Sequence, residues 1–91
     1  MINSKKALYE ALKRGEPLTF TTTRNGAKVG HMVGVERTVG SILQTNAFTV
    51  KTPKGNGEFV NSWMYFADID VNNNMITFKN ADIEVKIGKA A

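Results

Sequence analysis

Hydrophobic and polar positions change their period once along this chain, and that change divides it. Leu8, Ala11 and Leu12 fall at i, i+3 and i+4, a stripe of one face of a helix. Ser4 stands where an N-cap is wanted, Lys13 and Arg14 occupy the last turn, and Gly15 supplies a stop. The spacing predicts an amphipathic helix over about residues 4–14, and Pro17 forces an extended exit.

Beyond Pro17 the period is two. Leu18, Phe20 and Thr22 alternate with Thr19, Thr21 and Thr23, and Asn25-Gly26 follows, a pair suited to a type I′ hairpin turn. The returning strand, Ala27–Glu36, sets Val29, His31, Val33 and Val35 on one face. Gly30 and Gly34 on the other would let one long strand coil across two sheets. A third strand is expected from about Ile42 to Thr52, and Pro53–Gly57 reads as a turn.

A fourth strand is expected from Phe59 to Val71. Its odd positions are nearly all apolar, and its even positions pass from Val60, Met64 and Phe66 to Asp68 and Asp70. Asn72-Asn73-Asn74 makes the next turn. Ile76 and Phe78, then Ile83, Val85 and Ile87, continue in opposite phases. The expectation is a single mainly β (α+β) domain over residues 1–91. Its N-terminal helix precedes a small, partly open barrel at about 17–88, five or six antiparallel strands of the SH3-like type. The helix would cover a mouth or the doubly apolar half of the fourth strand.

Composition narrows the class. The chain is 42% hydrophobic and 22% charged, with no cysteine, which removes disulfides and thiolate metal sites and suits a cytoplasmic protein. No apolar run is long enough to cross a bilayer, and the opening residues lack the apolar core of a secretory signal. Neither a membrane association nor export is expected. The net charge is +4 and uneven. Residues 1–55 hold nine Lys/Arg against three Asp/Glu, whereas residues 56–91 hold three against five. Such a bias can mark a face for phosphate or an acidic partner, or serve solubility alone.

Candidate chemistry is sparse. His31 has no nucleophile and carboxylate at a telling spacing and reads as a hydrogen-bonded core or rim residue. Asp68-x-Asp70-x-Asn72 opens like a calcium loop, but Asn73 and Lys79 occupy the positions where glycine and glutamate are required. The two aspartates therefore read as a solvated strand face. Gly55-Asn56-Gly57 lacks the spacing of a phosphate loop. No enzyme, metal or cofactor is expected. Trp63, Tyr65 and Phe66 read as core filling or, on an exposed face, as platforms on which unpaired bases stack.

The stretch from Lys5 to about Val50 resembles the Sm-like family of RNA-binding small barrels. The counterparts are the helix Ala7–Arg14, the strand Pro17–Arg24, Asn25-Gly26 with Lys28-Val29 after it, and the glycine-bent Ala27–Glu36. His31 stands where the family's glycine is expected and Arg37 where it carries an acid, and the second family motif is missing near Tyr65 and Lys79. The resemblance implies a fold alone, and ring assembly and uridine-specific binding do not carry over. Two functions follow as expectations. One is sequence-tolerant binding of RNA or single-stranded DNA through Lys5, Lys6, Arg24, Lys28, Lys51, Lys54, Trp63 and Tyr65. The other is a small protein-interaction or inhibitor module of viral or mobile-element type. It would act through Val60, Met64 and Phe66 on a protein partner or on itself.

Overall fold

The helix forms where its stripe predicts. In the computed structural model, which describes residues 1–26, 33–43 and 46–89, α1 spans Lys5–Lys13. The Ser4 side chain accepts from the Ala7 N–H at 3.0 Å. Leu8 and Ala11 are buried, a few kcal/mol of transfer free energy that fixes the helix to the sheet.

Seven strands follow: β1 Leu18–Asn25, β2 Glu36–Leu43, β3 Ala47–Pro53, β4 Phe59–Tyr65, β5 Ile69–Asn72, β6 Met75–Phe78 and β7 Ile83–Lys89. They form one antiparallel sheet in the order β4-β3-β2-β1-β7-β6-β5, curled into a half-barrel. Neighbours in sequence are neighbours in space, and β7 returns to β1. The exception is β4 and β5, which stand at the two edges although only the 3-10 turn Phe66–Asp68 separates them. The barrel is thus open along one seam. It is mainly β with an N-terminal helix, as expected, but has seven strands among the described residues where five or six were expected.

Three expected elements are corrected. Asn25-Gly26 is not a type I′ turn. Asn25 belongs to β1 and pairs with Ile83, and a two-residue turn there would set Thr21 opposite residue 30, whereas it pairs with Glu36. Gly26 instead permits a close approach. Its N–H donates to the Asp82 carbonyl at 2.7 Å, and a Cβ on it would lie 2.3 Å from Asp82 Oδ2. Most of the expected strand Ala27–Glu36 lies outside the described residues. The type I′ geometry appears at Asn73 and Asn74, with φ of 57° and 61°, in the β5–β6 hairpin. The expected strand at 42–52 is two strands, since β2 ends at Leu43 and β3 begins at Ala47.

The third correction positions the site. Phe59–Val71 is not one regular strand. The 3-10 turn inverts its phase, so even positions face inward in β4 and odd positions in β5. Met64 is buried, as are Ile69 and Val71. At this turn the segment passes from one half of the sheet to the other. Phe66 anchors it. Its ring packs 5.3 Å from Phe48 and 5.9 Å from Tyr9 of α1, and Phe48 lies 5.6 Å from Phe20. The Lys5 ammonium donates to the Phe66 carbonyl at 3.1 Å. The helix therefore closes over the turn and the sheet end beside it, as the apolar pattern required. Among the described residues no helix is long and apolar enough to cross a membrane.

Candidate functional site

Phase inversion turns the odd side chains of β4 outward. Phe59, Trp63 and Tyr65 are 55%, 56% and 49% exposed. Alternate residues of a strand stand about 7 Å apart, so Trp63 and Tyr65 are adjacent and Phe59 lies about 13 Å from Trp63. Strand β3 supplies the other half of this surface, with Pro53 opposite Phe59, Lys51 opposite Asn61 and Thr49 opposite Trp63. Lys51 is exposed, and Lys54 follows at the tip, 3.9 Å from Glu58. An exposed pair at that distance contributes little and is readily exchanged for another anion. The tip is a turn, as read from its glycines, with positive φ at Gly55 and Gly57 and the Asn56 side chain accepting from the Glu58 N–H.

Of the expected nucleic-acid residues, the fold gathers Lys51, Lys54, Trp63 and Tyr65 on one edge. The others are not part of this surface. Arg24 pairs with Asp82 and, at 3.6 Å, with Glu84. Lys5 is bound to the Phe66 carbonyl, and Lys6 stands exposed on α1. Lys28 and His31 lie outside the described residues. The expected partner face does not exist as a unit. Val60 is 47% exposed, but Met64 is in the core and Phe66 is half-buried between Phe48 and Tyr9. Asp70 faces water beside buried Val71, as alternation required. Among the described residues no group of His, Asp and Glu is placed to hold a metal ion.

Several cavities adjoin the barrel. One, about 230 Å³, is lined by Asp68, Phe78, Asn80 and Ala81. Another, about 440 Å³, lies beneath the N-terminus and is lined by Glu10, Arg14, Glu16, Leu18 and Lys89 among others. Its central carboxylate is already satisfied. Glu16 pairs with Arg14 and, at 3.5 Å, with Lys89. The hydrogen bond from Arg14 holds the Glu16 carboxyl below its ordinary pKa.

A third cavity, about 220 Å³, lies in the seam. Ser62, Trp63 and Met64 of β4 form one wall and Phe78 and Ile83 another, with Thr22, Val50 and Arg37 also lining it. Arg37 was not singled out as a site residue by the sequence. It lies opposite Phe20 on the inner face and is 8% exposed. Its Nη2 donates to the Thr22 hydroxyl at 3.0 Å, while its buried Nε finds no acceptor among the described residues. Burial pushes the guanidinium below its ordinary pKa, although an arginine remains charged at any working pH. No sequence signal marks this burial: the preceding odd positions do not share it, since Val33 is 57% exposed and Val35 half-buried. A scan of protein-family models, a search of curated proteins and a search of solved structures each return no match to this chain.

Proposed function

We propose that this chain is a non-catalytic binding module that holds single-stranded nucleic acid, without strong sequence preference, on the outer face of β3 and β4. The observation that carries the reading is the exposure of Phe59, Trp63 and Tyr65 beside Lys51 and Lys54. Exposed rings are costly to leave wet on a small domain, and every base offers a π-face to them. Each stack is worth about 1–3 kcal/mol, and the two lysines supply phosphate contacts.

Trp63 is the chain's single tryptophan, so its emission reports binding directly. Titration with oligo-dT or oligo-rU should quench it. With two phosphate contacts the affinity should fall with salt at a log–log slope of about −1.4. Trp63→Ala, with binding then followed by anisotropy of a labelled oligonucleotide, should weaken it about 5- to 150-fold. No binding at low salt with protein at about 100 µM, the weak end of ordinary non-specific association, would remove the proposal.

A second reading rests on a different observation. Strand β4 pairs with β3 on one side only, and its sequence, Phe-Val-Asn-Ser-Trp-Met-Tyr, holds no lysine or proline to discourage another strand. A protein partner, or a second copy, that adds a strand there would also cover Val60. Sedimentation separates the two. Self-association that Val60→Lys abolishes supports strand addition by a second copy, and a monomer at high concentration excludes it.

A further inference from the structure

We propose that the seam cavity is a binding site for a small organic monocarboxylate, with Arg37 receiving the carboxylate and the apolar walls receiving a short hydrocarbon body. The argument starts from charge. A buried arginine is ordinarily matched by a carboxylate, because taking an ion out of water without a partner is costly. All eight Asp and Glu side chains of the chain lie within the described residues, and the ion pairs formed there engage Arg14, Arg24, Lys54 and Lys89, never Arg37. The protein therefore holds a guanidinium in its interior with a hydroxyl on one arm and an unanswered Nε. A planar fork of N–H donors is the best available match for a carboxylate.

Geometry then limits the rest of the ligand. Val50, Met64, Phe78 and Ile83 line the space, and Trp63 lies at its β4 side. A volume of about 220 Å³ equals roughly seven waters at about 30 Å³ each, well below the size of a drug-binding cleft. Inorganic phosphate would leave the apolar wall uncovered and bring a second charge with no second cation among the lining residues. A compact monoacid answers both surfaces. The proposal goes beyond the oligonucleotide reading and does not depend on it, since Trp63 borders both surfaces but Arg37 faces inward and is not part of the stacking surface.

Hexanoate is a suitable probe, with hexanamide and inorganic phosphate as controls. Hexanoate should raise the unfolding midpoint saturably and alter Trp63 emission over the same concentration range. Hexanamide, isosteric but uncharged, should be at least tenfold weaker, and phosphate should produce no saturable change. Arg37→Met should abolish the response while leaving oligo-dT affinity unchanged. Should that variant fold poorly, Ser62→Leu, which fills the cavity and spares Arg37, must weaken hexanoate at least tenfold. The proposal is overturned if hexanoate gives no saturable response or if the amide or phosphate binds as well. Retention of the acid by Arg37→Met or Ser62→Leu overturns it equally.

Discussion

Replacing Arg37 with methionine should make the free protein more stable, an unusual result for a residue 92% removed from solvent. Two terms oppose each other. The variant loses the hydrogen bond from Arg37 Nη2 to the Thr22 hydroxyl, 3.0 Å long, worth about 1.5–3 kcal/mol for a charged donor. It also removes the desolvation of an ion that no Asp or Glu side chain pairs with, several kcal/mol after relaxation. Methionine keeps an unbranched apolar stem against Phe20 and Val50, so little packing is forfeited. The desolvation term wins, with a net gain of about 1–2 kcal/mol. For a domain of this size the midpoint should rise by roughly 4–16 °C. Urea unfolding should show a higher midpoint with an unchanged slope, and adding Thr22→Val, which removes the stranded hydroxyl, should raise it further. A lower midpoint for Arg37→Met would refute the reasoning, because it would show that the cation's internal contacts outweigh its desolvation.

Three other outcomes follow from the packing and charges. Phe48→Ala removes the ring that joins Phe20 to Phe66, and should cost about 3–5 kcal/mol in chemical denaturation, a large share of the roughly 5–15 kcal/mol by which a domain is ordinarily folded. Asn73 has a φ of 57°, so Asn73→Ala should cost about 1 kcal/mol whereas Asn73→Gly should be neutral or slightly stabilising in the same assay. Glu16 has a folded pKa lowered by its hydrogen bond from Arg14. Its stabilising contribution is present above the unfolded carboxyl value near 4.5, and is lost as pH falls through the folded one. Melting curves across that acid range should fall less steeply for Glu16→Gln than for the parent.

What the sequence made legible, and what it hid, follows physical lines. Local signals were reliable where one interaction decides the geometry. Ser4 caps the helix, Leu8 and Ala11 define its buried stripe, Gly55 and Gly57 turn the tip, and the asparagines at 73 and 74 take left-handed conformations. Asn25-Gly26 misled because a turn signal is a local propensity and the longer ladder to β7 overrides it, pairing Asn25 with Ile83. The candidate surface was half legible. Lys51, Lys54, Trp63 and Tyr65 do gather, but the companionship of Arg24 with Asp82 and Glu84 depends on contacts some sixty residues apart, which no spacing reveals.

The decisive failure of parity sits in three residues. Between Met64 and Ile69, both inward, there are five steps, and an odd number of steps cannot join two inward positions of one continuous strand. Either Met64 or the aliphatic residues of β5 had to face water unless something shifted the phase. Phe66–Asp68 provides that shift by winding into a 3-10 turn, and Phe66 fills the corner so created against Phe48 and Tyr9. One local event then has three consequences. It sends Trp63 and Tyr65 outward, it prevents β4 and β5 from zipping together, and it leaves a seam into which Arg37 reaches with no Asp or Glu side chain beside it. The ring surface and the cation cavity are therefore two products of the same turn, with Trp63 bordering both, and each can fail its test alone.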